Sequence, residues 1–519
     1  MRGNRKIDFN RLIFAGYFYV VWVIYIFVHC YKDGESKINF VFLLIVCFIV
    51  TVPIAFGVIN LIRKIQINRE KRICNKKKQL RVGVLFFFLN FTVLLIWFLA
   101  YYPGAFSNDS INQYEQAVSG YYSDWHPFLH TLIFFTIPLK VTGKAFSIVL
   151  LQMVYLVIAL AYMEISVYQY FGIRIALIVN AIIIFNPYIC SIVMFPWKDV
   201  GFSIIALVIA VSVFNIYYSN SEWIKNKGHL VILAIALVVC TLFRHNAILY
   251  TLFVIISLWS FCGKKTGIKL TIITVALLLF VKGPIYNFFG VIQPDKRHSE
   301  TMGVPMTIMA NVAKEGANNL SEETKTFIYQ IATQEEYNEK YSTGNFNSIK
   351  WDVADTSIVD ETNVLKILCM TAECIIKNPE SSMKALFMLT DMVYSLDGEI
   401  KGEVTPYISD NDFGIEYKGN TEIATLLEDY SWIFNNSPLK YLRYIGTTVI
   451  LMLAFILGRC SFSRKADLKK ILLCIPILVY DFGTMLLLTG PDSRFFFVNF
   501  LVYPLVLVLM LDKSIKKEE

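Results

Sequence analysis

Charge is scarce in this chain. Of its 519 residues only 17% are Asp, Glu, Lys or Arg, while 56% are hydrophobic. Soluble domains carry nearer a quarter charged residues, so a string of soluble domains is excluded despite the length. Short alternating apolar segments are missing too, which excludes a transmembrane β-barrel. The ten cysteines form no CxxC and no Cys/His zinc spacing. They are scattered, mostly in apolar stretches where a free thiol packs as a small hydrophobe. Cys369 and Cys374 are the one close pair outside those stretches. No internal repeat or low-complexity segment stands out. A cleavable leader is absent as well: Leu12–Cys30 is long, is followed by no small-residue cleavage site, and reads as an uncleaved first span.

What the chain has instead is apolar runs of about 18 residues or more along most of its length, the mark of transmembrane helices. The predicted fold class is an all-α polytopic membrane protein of about 11–12 spans with a mainly helical extracytoplasmic domain. Twelve spans fit: 12–30, 40–62, 83–101, 144–168, 173–190, 200–218, 229–243, 246–262, 268–286, 441–458, 471–488 and 494–511. The pair 229–243 and 246–262 is short enough to compete with one long tilted helix. Basic clusters occupy Met1–Arg11, Arg63–Arg81, Gly263–Lys269, Arg459–Lys470 and Lys513–Lys516. Short basic loops stay cytoplasmic, which puts both termini inside.

The formal charge of +8 hides a split. Asn287–Lys440 holds 24 acidic and 12 basic residues, a net of −12, and the remainder has a net of +20. That suits two sides of a membrane rather than nucleic-acid binding. Four parts follow: 1–82, two helices and a basic loop; 83–286, a transmembrane core with an outer loop at 102–143; 287–440, an acidic extracytoplasmic domain; and 441–519, the last helices and a basic tail. Within the acidic part, "EETKTFIYQIATQEEYNEKY" and "NPESSMKALFMLTDMVYSL" read as helices, the second opening on an Asn-Pro start signal. "HPFLHTLIFFTIPL" is too short to span and reads as a helix along the outer surface.

Ionisable groups beside a span are costly and need a reason. Asp109, Lys198 with Asp199, Arg244 with His245, and Asp492 with Arg494 all fall at the same predicted outer face. Acids and cations converging there suit an anionic lipid headgroup and a proton-accepting acid. Each has a plainer reading too. Asp109 could cap the helix "SINQYEQA", Lys198 and Asp199 could be an interfacial pair, and the arginines could snorkel. His126 and His130 lie at i,i+4, but Pro127 intervenes and no HExxH pattern is present, so no metal site is assigned. His126 before proline reads better as fixing a turn.

The order of these features resembles the GT-C superfamily of polyprenyl-phosphate-sugar-dependent glycosyltransferases, its protein O-mannosyltransferase-like branch above all. The matching pieces are "SNDSINQ", "DWHPFLH", a span pair ending in "IIIFNP", "PWKDV", "LFRHNAI" and "DSRFFFVNFLVYP". They cover 83–262 well and 441–511 loosely. Two extra spans come first, the acidic part 287–440 has no counterpart, and one Asp stands where many members carry an acidic pair.

The resemblance implies a GT-C-like fold in the cell membrane of a bacterium, with the site on the extracytoplasmic face. It implies a transferase moving a sugar from a polyprenyl-phosphate donor, undecaprenyl phosphate-hexose above all, to an envelope acceptor (glycopolymer, lipid or protein). Asp109 would be the catalytic base, and Asp199 would orient the acceptor or a cation. Arg244 and Arg494 would grip the donor phosphate, with Lys198 and His245 assisting. Glu115, Asp124 and His126 would support the loop or the acceptor. No cofactor is assigned, and a divalent cation is left open. The rival readings are a transporter or flippase of lipid-linked saccharides, which would need polar residues at mid-bilayer and paired broken helices, and a non-catalytic envelope-assembly protein.

Overall fold

The computed structural model describes residues 9–31, 40–64, 67, 75–294, 298–396, 405–460 and 470–512. Most of the basic clusters Met1–Arg11, Arg63–Arg81, Arg459–Lys470 and Lys513–Lys516 lie outside these residues. The described residues are nearly all helical, with only isolated bridges and no strand. Among the described residues seven helices are long and apolar enough to cross a membrane, and five apolar helices are shorter. The chain is an all-α polytopic membrane protein.

Every predicted span falls on a helix. They run α1 Phe9–Tyr31, α2 Phe40–Lys64, α3 Lys76–Tyr101, then after the outer loop α6 Phe146–Ile184, α7 Lys198–Tyr218, α8 Lys227–Phe243, α9 Ile248–Cys262 and α10 Lys264–Phe280. The loop itself carries α4 Asn108–Ser119 and α5 Phe128–Thr142, whose middle turn is π-helical over Thr131–Thr136. Two predicted spans, 144–168 and 173–190, are both served by α6, which breaks at Gly172 with φ 79° and ψ 176°. Only glycine adopts that backbone freely. The short pair is two helices rather than one, because Arg244 is extended at φ −154°. Thr241 Oγ1 donates to Thr251 Oγ1 at 2.9 Å, whereas ten residues of continuous helix would hold them about 15 Å apart.

α7 has no polar stripe, and 83% of its apolar window is buried, as expected of a helix apolar all round. It packs against α6, α8 and the last helix and forms the axis around which the site is built. α5 also differs from a helix resting on the outside. Phe128, His130, Thr131 and Phe135 are fully buried against α4 and α8, and only its far end, with Val141, is exposed.

A polar clamp joins α3 to both halves of α6. Asn90 and Asn180 donate their amides to Glu164, and all three side chains are buried. Both carboxylate oxygens are thus satisfied, as a buried acid requires.

Beyond the membrane helices come α11 Gly303–Lys314, α12 Glu322–Ile331, α13 Val364–Lys377, α14 Pro379–Tyr394 and α15 Thr421–Asn435. Met306, Phe327, Tyr337, Tyr341, Ile367 and their neighbours form a separate hydrophobic core. The stretch "EETKTFIYQIATQEEYNEKY" is two helices, because Thr333 ends one and opens Gln334–Lys340 with a reciprocal capping box. α14 starts at Pro379 as expected, yet Asn378 gives no side-chain cap and donates instead to the Asn318 carbonyl at 3.1 Å. α15 lies on α3. The chain closes with α16 Ile445–Cys460, α17 Ile475–Met485 and α18 Phe497–Leu511.

Candidate active site

Three helix starts and one helix end bring the site together. Asp109 lies in the first turn of α4, where its charge suits the helix dipole. It is not the cap: the helix begins one residue earlier, and Ser107 holds the cap position without a capping bond. Ser107 Oγ accepts from Trp197 Nε1 at 2.8 Å instead, tying the loop to the start of α7. The next two residues, Lys198 and Asp199, open α7. Arg244 closes α8. Arg494 belongs to the 3-10 turn Ser493–Phe496 before α18, which Asp492 caps by accepting from the Arg494 N–H at 3.1 Å.

These residues converge although 385 positions separate the first from the last. Arg494 faces three carboxylates: Asp492 at 2.8 Å, Asp109 at 3.2 Å and Asp199 at 3.9 Å. Its guanidinium lies 4.9 Å from the Trp197 ring centroid. Arg244 pairs with the other oxygen of Asp199. It also donates to Asn246 Oδ1 at 2.7 Å and lies 4.5 Å from the Phe495 ring. The two arginines do come together, as the sequence suggested, but the carboxylate of Asp199 stands between them.

Asp109, Asp492, Arg494, Trp197 and Ser107 line a cavity of about 490 Å³ together with Asn345, Asn347 and Tyr407. Arg244 and Asp199 are buried behind it, each under a tenth exposed. Lys198 is electrostatically close to Asp109, Arg244, Arg494 and Glu300, and makes no ion pair or hydrogen bond among the described residues. Burial pushes the Asp109 carboxyl up, but Arg494 and then Lys198 outweigh it, and the group is held below the ordinary carboxylate range. Asp109 is therefore a carboxylate at neutral pH.

The rest of the opening loop is placed differently. Asp124 is buried and fully tied: it accepts from Lys282 Nζ at 2.6 Å, Tyr286 OH at 2.9 Å and the Phe128 N–H at 3.1 Å. Its carbonyl is bridged to His245 Nε2 at 3.0 Å, so His245 is turned toward the loop. His126 is buried, 4% exposed, with no hydrogen bond at Nδ1. Burial, and secondarily Lys198, push it down to about 3, so it is neutral. His130 Nδ1 meets Gln113 Oε1 at 2.8 Å, and Gly201 leaves room for its ring. Among the described residues no cluster of His, Cys, Asp and Glu has the makings of a metal site. Glu115 is exposed on the far face of α4, apart from the cavity.

Sequence reading missed Glu300, which approaches Lys198 from the acidic region and pairs with buried Lys350 at 2.7 Å. Nothing local in "HSE" signals it. Asn345 and Asn347 were missed as well. They reach the cavity because the Asn347 N–H binds the Thr489 carbonyl at 3.1 Å, and Gly490 admits their side chains where a Cβ would lie 2.4 Å from Asn345 Oδ1.

No family model matches the chain, and no curated protein matches it. Among solved structures it is similar to ArnT from Cupriavidus metallidurans, bound to undecaprenyl phosphate in that crystal structure. The identity is 14% and the TM-score 0.33, over 81% of this chain and 77% of that one.

Proposed function

We propose that the chain is a membrane glycosyltransferase that moves a sugar from a polyprenyl-phosphate donor to a hydroxyl acceptor on the extracytoplasmic side. The observation that carries this reading is the meeting of Asp109 and Arg494 at one cavity beside the membrane ends of α3, α7 and α18, with Asp199 behind it and Lys198 electrostatically close. The expected orientation, with loop 102–143 and region 287–440 outside, follows from the basic loops.

In the reaction the acceptor O–H gives its proton to the Asp109 carboxylate while its oxygen attacks the anomeric carbon. The bond from that carbon to the phosphate oxygen breaks, and polyprenyl phosphate leaves with one more negative charge. Preorganised cations where that charge develops are the usual source of rate enhancement. Lys198 is the cation free to take it. Arg494 is held by carboxylates, so donor phosphate competes with Asp109 and Asp492 for its fork. As phosphate draws Arg494 away, Asp109 loses the charge that depresses its basicity and becomes the better base. Arg244 does not reach the cavity and acts through Asp199, holding it against Arg494. His245 and Asp124 fix the loop, and the acidic region supplies one wall of the acceptor side.

The test is sugar transfer by purified protein in vesicles, with undecaprenyl phosphate-linked hexoses as donors. Asp109→Asn keeps size and hydrogen bonding but removes basicity, and should lower the rate by about 10² to 10⁴ with unfolding unchanged. Wild-type rates in this variant would remove Asp109 as base.

A further inference from the structure

A second cavity, of about 500 Å³, lies under α15. Its floor is aromatic: Trp97 and Tyr101 from the end of α3, and Tyr188 from the turn after α6. α15 forms the roof, contributing Ala424, Leu427, Glu428, Asp429 and Asn435. Asn435 Oδ1 is buried without a hydrogen-bond partner among the described residues.

Two features say what fits there. The first is an apolar mouth. On the same helix Leu426 and Ile433 are 68 and 60% exposed, Trp432 at the cavity edge is 68% exposed, and Ile96 and Leu99 of α3 are exposed too. Exposed aromatic and aliphatic side chains of this kind suit the interfacial layer of a bilayer, where the cavity would meet lipid. The second is the polar lining. Two adjacent carboxylates, the Arg443 guanidinium, an amide and aromatic faces recognise hydroxyl groups and ring surfaces, and the carboxylates outnumber the one cation, which opposes an anionic head.

Consecutive residues form part of the wall of each cavity. Pro406 lines one and Tyr407 the other. That wall is fixed to the catalytic loop, because the Phe106 N–H binds the Tyr407 carbonyl at 3.0 Å and the Ser409 N–H binds the Phe106 carbonyl at 2.8 Å. Tyr188 OH also donates to Ser493 Oγ at 2.7 Å, next to Arg494.

We infer that the cavity under α15 binds the acceptor, an amphiphilic lipid with an uncharged, hydroxyl-rich head whose hydroxyl is presented across the Pro406–Tyr407 wall to Asp109. The acceptor role rests on the proposed function; the binding site does not. The probe is a dodecyl glucoside carrying a photoreactive diazirine in its alkyl chain, added to the full-length protein in phosphatidylcholine nanodiscs. Crosslinks should map to α15 and residues 97–101. Unlabelled dodecyl glucoside should displace them, and free glucose or dodecyl phosphate at equal concentration should not. Ala424→Trp fills the cavity and should cut labelling about tenfold, the scale of a lost binding contact. Leu426→Ser, on the outward face of the same helix, should leave it within about twofold. Undiminished labelling in Ala424→Trp, or equal competition by dodecyl phosphate, overturns the site. Labelling as expected from a protein that transfers no sugar from any polyprenyl donor keeps the site and removes the enzyme reading. Normal transfer to a lipid acceptor by Ala424→Trp removes the acceptor role.

Discussion

The two ends of the outer loop carry one aspartate each, and they are built for opposite ends. Asp109 meets a single arginine at 3.2 Å, faces a cavity and keeps 38% of its side chain exposed. Asp124 accepts three hydrogen bonds, including one from a lysine at 2.6 Å, and keeps 3%. An acid with both oxygens engaged holds a fold together. An acid held by one exchangeable cation at a cavity wall is available for proton transfer. The same contrast separates Lys198, which has no ion pair among the described residues, from Lys282, whose partner is Asp124.

The sharpest way to probe this contrast is Arg494→Gln. It removes the cation that depresses Asp109 and one that the leaving phosphate needs. Transfer should fall by about 10² to 10³, the usual cost of one charge-stabilising donor. The pH profile distinguishes this from mere damage. In the free enzyme Asp109 is held below the ordinary carboxylate range by Arg494. Activity that requires its ionised form is lost only as pH falls through that low value. Without Arg494 the largest lowering influence is gone, and the acid limb of kcat/KM should move to higher pH. An unmoved limb would separate the two residues.

Next in size is Asp124→Asn. Lys282 and Tyr286 would lose a charged acceptor, which costs about 1.5–3 kcal/mol for bonds to a charged group. Thermal unfolding should show the loss, while transfer per folded molecule should change little. A variant as stable as wild type but inactive would reverse the roles given to the two aspartates.

The smallest effect concerns His126. Burial holds it at about 3 in the folded protein, against an ordinary value near 6.5. The unfolded chain therefore takes up a proton that the folded chain refuses. The sign follows: stability from this residue is complete above about pH 6.5 and declines as pH falls toward 3. His126→Gln should flatten the pH dependence of unfolding between pH 7 and 4, by no more than the one-proton slope. An unchanged slope would mean that His126 is already protonated or not buried as described.

Much of the membrane part was legible because apolar runs and basic loops report directly on spans. The break at Gly172 leaves two predicted spans on one helix, and the extended Arg244 keeps the short pair as two helices. The site was legible as a set of charged residues at span ends: Asp109 and Asp199 do meet Arg494, with Lys198 electrostatically close. Their pairing was not legible. Which oxygen faces which guanidinium depends on side-chain directions at four helix termini, and Asp199 rather than a ligand lies between the arginines. Glu300, Asn345 and Asn347 reach the site through the folding of the acidic region, for which the sequence offered helices but no contacts. Glu164 was hidden in an apolar run, since its amide partners lie 74 and 16 residues away.

The central claim is that donor phosphate takes Arg494 from Asp109 and meets Lys198. A structure of the protein with bound undecaprenyl phosphate tests it most directly. The account predicts the phosphate within hydrogen-bond distance of Lys198 Nζ and the Arg494 guanidinium, with the Asp109–Arg494 pair opened and Asp199 still held by Arg244. A phosphate bound away from Lys198, or bound while Asp109 keeps Arg494, would contradict it.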